Sequence, residues 1–289
     1  MRNRYAGFCT TCGMKVAAAA GAAVKDSNRW RVYCADHAPA HPAPPTRGDH
    51  PGWHTAELAG YDCETSSNDP REAFLVSAAI VDDTGEPLTW LVDPGEREIP
   101  QEAVAIHGIS TERARAEGSP AEQALTEIAD VLSAHLSAGK GLAIFNAPFD
   151  LGVLDNELWR RGLPSLSERI GGPVAPIIDP LVLDRGIDRY RRGPRNLAAM
   201  CSHYGVDLSD AHTALADAAA CLALSQEIGA RYPDLAVLSL PELHQRQIDW
   251  ANEYARDRQA WLDKRRPGHG TVIDGTWPLV AAAPPGELL

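Results

Sequence analysis

Three apolar segments with turn-forming residues between them restrict the fold of this chain more than any other feature. The segments are LAGYDCET, AFLVSAAIV and LTWLV, and the stretches SSNDP and DDTGEP separate them. Short apolar runs bounded by Gly, Pro, Asn and Asp are typical of strands joined by tight turns. The sequence therefore predicts an antiparallel meander of three strands over residues 58–92.

Helical periodicity dominates the chain after these strands. Helices are predicted at 119–136 with Ser119 as N-cap, 148–161, 180–186, 194–204 and 213–228, and a further short strand at 141–145 lies among them. A polar, periodic run after Pro241 predicts one long helix that ends before Pro267, and residues 271–280 are expected to form a hairpin. Strands followed by helices that alternate with a strand indicate an α/β fold.

Three of the six cysteines lie in the first forty residues, where Cys9 and Cys12 precede Cys34 and His37. Two ligand pairs, each with two residues between its members, are typical of small zinc modules. So short a segment buries little core, and a bound Zn²⁺ would supply the missing folding free energy. Two unrelated thiol pairs or a disulfide are the alternatives.

The chain is acidic, with 27 Lys and Arg against 39 Asp and Glu and a net charge of −12. This balance argues against broad electrostatic attraction to nucleic acid, so any such binding must use local basic patches or bound metal ions. The apolar runs are shorter than the ~20 residues of a membrane helix, and the N-terminus lacks the layout of a signal peptide. We expect a cytoplasmic protein.

Two carboxylates in the first strand are the first candidate site residues. Asp62 and Glu64 are two residues apart, so the period of the strand puts both on one face and Cys63 on the other. Like charges held this close favour a divalent cation between them. A solvated strand end is the alternative. We expect Cys63 to affect packing and not metal binding, because it faces away from the carboxylates.

Further polar residues follow two later elements. Asn146 ends the short strand, and Asp150 lies in the first turn of the next helix, where a simple capping role is the alternative. His212 and Asp217 are five residues apart and can converge only if His212 precedes the helix that carries Asp217. Asp217 shares a helix face with small apolar residues, so its buried charge would need a partner such as a metal held with Asp62 and Glu64.

The types, order and spacing of these residues resemble the DEDD superfamily of 3′→5′ exonucleases, in its His-containing (DEDDh) branch. Asp62-Cys63-Glu64-Thr65 is similar to the first motif of the family, Asn146-Ala147-Pro148-Phe149-Asp150 to the second, and His212 with Asp217 to the third. The loop His107-Gly108-Ile109-Ser110 resembles one that precedes the second motif in the proofreading epsilon subunit of bacterial DNA polymerase III. The resemblance implies an RNase H-like mixed sheet flanked by helices.

The resemblance also implies a mechanism with two Mg²⁺ or Mn²⁺ ions about 3.5–4 Å apart. Asp62 would bridge the metals, Glu64 and Asp217 would complete one coordination shell, and Asp150 would hold the second metal partly through water. His212 would take the proton from the attacking water, a role that suits a group titrating near neutral pH.

Seven further residues are predicted to contact substrate. They are Thr65, His107, Ile109, Asn146, Phe149, Tyr190 and Arg192. The last two belong to the basic run 185–195, where an aromatic ring could stack on a base, and a solvated loop is the alternative. His107 and Ile109 could flank the terminal nucleotide, although a turn role for Gly108 explains that loop equally well.

These observations predict a four-part chain and one main activity. We expect a zinc module at 1–40, a linker rich in Pro and Gly at 41–56, the exonuclease domain at 57–232 and a mostly helical extension at 233–289. The expected activity is hydrolysis from the 3′ end of single-stranded or frayed DNA, with a DNA polymerase as a candidate partner. An RNA-trimming enzyme or a non-catalytic nucleic-acid-binding module are the alternatives.

Overall fold

The computed structural model describes residues 3, 5–18, 20–26, 29–37, 44–83, 85–208 and 212–279, and these form two compact units. The N-terminal unit comprises Met1–Pro44 together with Asp188–Pro194. The main unit comprises Pro45–Ile187 and Arg195–Leu289. The first part of the predicted linker, 41–43, and the last residue of the predicted hairpin lie outside the described residues.

The N-terminal unit contains two small antiparallel hairpins. Strand β1 (Gly7–Phe8) pairs with β2 (Lys15–Val16), and β3 (Ala22–Asp26) pairs with β4 (Arg29–Tyr33). A single 3₁₀ turn follows at Ala35–His37. Among the described residues of this unit, the buried apolar cluster consists of Cys9, Val16 and Cys34, with Val32 and Tyr33 packed against it. A core this small supports the view that something other than apolar burial stabilises the unit.

A six-stranded sheet in the order β10-β9-β5-β6-β7-β8 forms the centre of the main unit. Its strands are β5 (Leu58–Thr65), β6 (Leu75–Asp82), β7 (Leu88–Asp93), β8 (Ser119–Pro120), β9 (Gly141–Ala143) and β10 (Ile177–Ile178). Strands β5, β6 and β7 form the predicted antiparallel meander. Strand β9 pairs in parallel with β5 on one side and with β10 on the other. The predicted mixed sheet is confirmed.

Helices cover both faces of the sheet. They are α1 (Gln101–His107), α2 (Thr111–Glu117), α3 (Ala121–Ser137), α4 (Ala147–Arg160), α5 (Leu166–Ile170), α6 (Pro180–Ile187), α7 (Leu197–Tyr204), α8 (Ala214–Arg231), α9 (Pro233–Ala236) and α10 (Leu240–Arg265). Some predicted boundaries are wrong. Ser119 pairs with Val92 in the sheet, so α3 begins only at Ala121. The helix predicted from residue 194 begins at Leu197, and the strand predicted to residue 145 ends at Ala143. The long helix predicted after Pro241 is confirmed as α10.

Two apolar layers hold this arrangement together. On one face Tyr61 and Ala78 pack with Leu125 of α3 and Leu154 of α4, all of them buried. On the other face Ala79 and its neighbours pack with the small side chains of α8, which include Ala218 and Cys221. Small residues let α8 approach the sheet closely, and this approach positions the site described below.

The segments that flank the sheet in sequence also pack on the main unit. The indole Nε1 of Trp53 donates a hydrogen bond of 3.0 Å to the carbonyl oxygen of Leu235, and Trp53 is buried. Residues 45–56 therefore pack on the main unit, which their Pro-rich composition did not predict. The described residues 271–279 contain no strand, so the expected hairpin is wrong there. Within the described part of the chain, none of the helices combines the length and apolarity needed to span a membrane.

Candidate active site

Strand β5 directs Asp62 and Glu64 toward α8, as its alternation predicts. Gly60 explains how close the helix comes, because a Cβ atom at this position would lie 2.3 Å from the carbonyl oxygen of Ala218. Only a residue without a side chain permits this contact. Since Asp217 directly precedes Ala218, the close approach at Gly60 brings the carboxylate of α8 to those of β5.

His212 and Asp217 converge in the way that the sequence predicts. His212 precedes α8 in a left-handed conformation with φ of 71°, and Thr213 caps the helix through its side chain. The backbone N–H of His212 donates to Oδ2 of Asp217 at 3.3 Å. Asp217 lies in the first turn of α8, and its Oδ1 is buried without a hydrogen-bond partner among the described residues. A buried carboxylate oxygen with no donor is suited to a cation.

Three carboxylates form a group that could hold a metal ion. One oxygen from each of Asp62, Glu64 and Asp217 lies within 4.8 Å of the others. Burial raises the pKa of Glu64 to about 7, and the nearby charge of Asp217 adds to this shift. Burial, followed by the charges of Asp150, Asp217 and Glu64, raises the pKa of Asp62 well above its ordinary range. Mutual repulsion of this kind is relieved by a divalent cation, and an all-oxygen donor set fits Mg²⁺ or Mn²⁺.

Asp150 approaches the same strand from α4, on the face opposite α8. Strand β9 pairs only with Leu58–Gly60 of β5, so the backbone of Cys63 lies beyond the end of that pairing. The Cys63 N–H and the Cys63 Sγ each lie 3.2 Å from Oδ1 of Asp150 and donate to it. Burial raises the pKa of Asp150 to about 7, although both contacts from Cys63 act to lower it.

The contact with Asp150 corrects one expectation about Cys63. The residue does face away from Asp62 and Glu64, but it is not confined to packing, since its thiol touches a predicted metal ligand. The alternation of side chains along β5 was predicted correctly. What it cannot show is that a carboxylate from α4 reaches the face on which Cys63 lies.

A cleft of about 350 Å³ lies over the carboxylates. Its described lining residues are Asp62, Cys63, Glu64, Phe145, Asn146, Phe149, Asp150, Leu181 and Asp217. Asn146 and Phe149 therefore lie where substrate contacts were predicted. Asn146 has a φ of 61° and immediately precedes α4, and this conformation places its side chain at the cleft instead of on the helix.

Three other predicted substrate contacts of the main unit, His107, Ile109 and Thr65, are not among the described lining residues of this cleft. His107 and Ile109 are buried at the end of α1, and Ile109 packs in a separate cluster with Phe74 and Val76. The Nδ1 atom of His107 accepts a hydrogen bond from the Ile109 N–H at 3.1 Å, and Gly108 between them has a φ of 73°. The hydroxyl of Thr65 donates to the carbonyl oxygen of Ser67.

Tyr190 and Arg192 belong to the N-terminal unit, because the segment Asp188–Pro194 groups with it. The guanidinium of Arg192 donates to the carbonyl oxygen of Ala23 at 3.3 Å. The side chain of Tyr190 is 80% exposed. Most of the basic run 185–195 therefore belongs to the N-terminal unit.

Cys9, Cys12, Cys34 and His37 come together in the N-terminal unit, with one ligand atom of each within 4.8 Å of the others. The Sγ atoms of Cys12 and Cys34 are 3.8 Å apart, and Nδ1 of His37 is 3.2 Å from Sγ of Cys34. Burial opposes ionisation of Cys9, but hydrogen bonds from the backbone of Cys34, Cys12 and Thr11 lower its pKa to about 6. A thiolate in a Cys₃His set is a donor group for Zn²⁺.

Asp179 is a residue that the sequence interpretation missed. It is fully buried directly after β10, and its carboxylate accepts hydrogen bonds from the backbone N–H groups of Asn146, Ala147 and Leu181 and from Nε1 of Trp277. These bonds fix the turn that leads into α4 and thus the position of Asp150. A polar residue between an apolar strand and a helix-starting proline is the only signal in the sequence, and it is equally typical of a helix cap.

Comparison with known proteins agrees with this geometry. Residues 60–225 match the model of the exonuclease family RNase_T. The DNA polymerase III epsilon subunit of Rickettsia conorii is 35% identical over 169 residues, which cover 55% of this chain and 67% of the relative. The corresponding subunit of Rickettsia felis is 33% identical over 168 residues, with the same shares covered.

Solved structures show the same fold. Escherichia coli exonuclease I in complex with a dA16 oligonucleotide superposes with a TM-score of 0.53 at 19% identity, over 72% of this chain and 45% of that chain. Exonuclease I from Methylocaldum szegediense gives a TM-score of 0.52 at 23% identity, over 74% and 46%. The chain thus spans less than half of these exonuclease I chains. The matched family model covers more than half of the chain, and the chain belongs to the exonuclease (RNase_T) family of DEDD 3′→5′ exonucleases.

Proposed function

We propose that this protein removes nucleotides from the 3′ end of single-stranded or frayed DNA by metal-dependent hydrolysis. This proposal rests on one observation. Asp62, Glu64 and Asp217 converge, with one ligand atom of each within 4.8 Å of the others. The cleft above them is open and has Phe149 and Asn146 at its wall, so a nucleotide can reach the carboxylates. The E. coli exonuclease I structure that shares the fold holds a DNA oligonucleotide, which supports DNA as the substrate.

Four carboxylates would hold two divalent ions in this proposal. Burial, with the charges of Asp150, Asp217 and Glu64, raises the pKa of Asp62, so this carboxylate interacts with all three others. It is therefore the residue suited to both ions, and Asp150 would serve the second ion partly through water. Two bound Mg²⁺ or Mn²⁺ ions supply stabilisation of negative charge on the attacking and leaving oxygens.

His212 is proposed as the general base. Its side chain is exposed and its backbone N–H donates to Asp217, and both observations support a role beside the carboxylates. The charge of His212 also acts on Glu64, where it lowers the pKa against the effect of burial. An imidazole that accepts a proton near neutral pH suits the activation of water.

The remaining parts of the proposal concern the rest of the chain. Cys9, Cys12, Cys34 and His37 are proposed to hold one structural Zn²⁺. The domain division at residues 40, 56 and 232 stays a prediction. So do the substrate roles of Thr65, His107, Ile109, Asn146, Phe149, Tyr190 and Arg192. Docking to a DNA polymerase is proposed from the epsilon-subunit relatives.

The test is degradation of matched DNA and RNA strands that carry a label at the 3′ end. We expect release of labelled mononucleotide from DNA with Mg²⁺ or Mn²⁺, and no release when both metals are omitted. Asp62→Asn should abolish release, whereas Asp234→Asn, an exposed carboxylate of α9, should leave the rate unchanged. Metal-independent release, or full activity of the Asp62→Asn variant, would refute the mechanism. Faster release from RNA would refute the DNA assignment.

A further inference from the structure

The two units of the chain differ sharply in charge. The N-terminal unit, residues 1–44 with 188–194, has nine Lys and Arg against three Asp, a net charge of +6. The main unit has 18 Lys and Arg against 36 Asp and Glu, a net charge of −18. The N-terminal unit is therefore cationic, although the net charge of the whole chain is negative. A local excess of positive charge of this size favours a polyanionic partner.

The same unit exposes large apolar side chains that its small core does not use. Tyr5 is 80% exposed, Phe8 68% and Trp30 55%, and Met14 and Tyr190 are exposed as well. Phe8 lies on β1 and Trp30 on β4, and both hairpins are tied to the Cys/His group through Cys9 and Cys34. Tyr and Trp side chains are enriched at binding interfaces, so their exposure on so small a folded unit points to a binding surface.

Aromatic rings and positive charge on one unit match one class of ligand well. Single-stranded nucleic acid presents unpaired bases that stack on Tyr, Phe and Trp and a phosphate backbone that attracts Lys and Arg. A protein partner would satisfy the rings, but it would not by itself account for the charge of +6. We propose that the N-terminal unit is a binding module for single-stranded DNA that engages bases through Phe8, Trp30 and Tyr190. This inference takes its substrate from the proposed function.

The experiment measures binding separately from hydrolysis. An Asp62→Ala chain, which should not degrade the probe, is titrated with a fluorescein-labelled single-stranded oligonucleotide of thirty dT residues in Mg²⁺, and binding is followed by anisotropy. Phe8→Ala, Trp30→Ala and Tyr190→Ala in this background should each weaken binding by about tenfold. Trp159→Ala, an exposed indole of the main unit, is the matched control and should bind like its parent. Zinc content and circular dichroism verify that each variant folds.

A second pair of variants tests the electrostatic part. Lys15→Glu on β2 should weaken binding and reduce its dependence on salt, whereas Lys264→Glu on α10 makes the same charge change on the main unit and should do neither. Wild-type affinity in the three aromatic variants would overturn the proposal. So would equal affinity for a blunt duplex, because paired bases cannot stack on the rings. The aromatic variants could instead lose self-association while DNA binding stays unchanged. That result would show that the exposed rings contact a second copy of the chain, and it would overturn the proposal. Degradation of the probe by the Asp62→Ala chain would instead count against the proposed active site.

Discussion

Replacing Gln247 by Leu should destabilise the main unit strongly, although Gln247 lies far from the site in sequence. The side chain is fully buried on α10, where Oε1 accepts from the Asp179 N–H at 2.7 Å and Nε2 donates to the carbonyl oxygen of Ile177 at 2.9 Å. Leucine has a similar volume and removes these bonds, together with the bond from Nε2 to the carbonyl oxygen of Leu243 at 3.2 Å. The Asp179 N–H and the Ile177 carbonyl would then lack these partners, at roughly 1–3 kcal/mol each, so we expect a loss of about 2–6 kcal/mol.

Gln245→Leu is the matched control for this prediction. Gln245 lies two residues earlier on the same helix and is exposed, and its Nε2 donates to Oδ1 of the neighbouring Asp249 at 3.3 Å. Urea unfolding followed by circular dichroism gives the free energy of unfolding of both variants. In thermal melts the midpoint temperature of Gln247→Leu should fall by about 4–24 °C. Equal stability of the two variants would show that the Gln247 bonds contribute nothing net, and the reasoning would be refuted.

Three further predictions concern the two candidate metal sites. Burial raises the pKa of Glu64 from an ordinary 4.5 to about 7. Between these two pH values the folded metal-free protein binds more protons than the unfolded chain. It therefore loses stability as the pH rises from about 4.5 through 7. Thermal melts without Mg²⁺ should show this loss of stability in the wild type and a smaller loss in Glu64→Gln. The same dependence of stability on pH in both proteins would contradict the assignment to Glu64. His212→Ala should lower the rate by about 10²–10⁴ while calorimetry shows unchanged Mg²⁺ affinity, in contrast to Asp217→Ala. Elemental analysis should find about one zinc per chain, with less in Cys9→Ser and Cys34→Ser, whereas zinc-free folded protein or a disulfide would exclude the zinc site.

Local patterns predicted the parts of this molecule that local physics determines. The meander follows from apolar runs with turn residues between them, and the shared face of Asp62 and Glu64 follows from the period of a strand. The placement of His212 before α8 follows from helix geometry, since five residues on one helix would hold it away from Asp217.

The misses share one physical cause, which is contact between distant segments. Residues 45–56 have the composition of a linker, yet Trp53 finds a hydrogen-bond partner in Leu235. The segment 188–194 resembles a basic surface loop but groups with the N-terminal unit. Ser119 has the side chain of an N-cap, but pairing with Val92 takes it into the sheet. No window of local sequence contains the partner in any of these cases.

The active site depends on residues beyond the part of the chain that matches the exonuclease family. The match ends at residue 225. Beyond it, Oε1 of Gln247 accepts a hydrogen bond from the backbone N–H of Asp179, and Nε1 of Trp277 donates one to the Asp179 carboxylate. Asp179 in turn binds the N–H groups of Asn146 and Ala147, which begin the helix that carries Asp150. In addition, Nδ1 of His244 accepts from the Ile177 N–H, so α10 covers the outer edge of β10.

This chain of contacts gives the C-terminal extension a definite role in the fold. An edge strand of two residues has few ladder bonds of its own, and β10 obtains the rest of its partners from side chains of α10. Because Asp179 directly follows β10, any shift of that strand moves the turn at Asn146 and with it the carboxylate of Asp150. Removing residues 240–289 should therefore disturb the site itself, even though every catalytic candidate would still be present. The extension is better understood as part of the exonuclease scaffold than as an appendage to it.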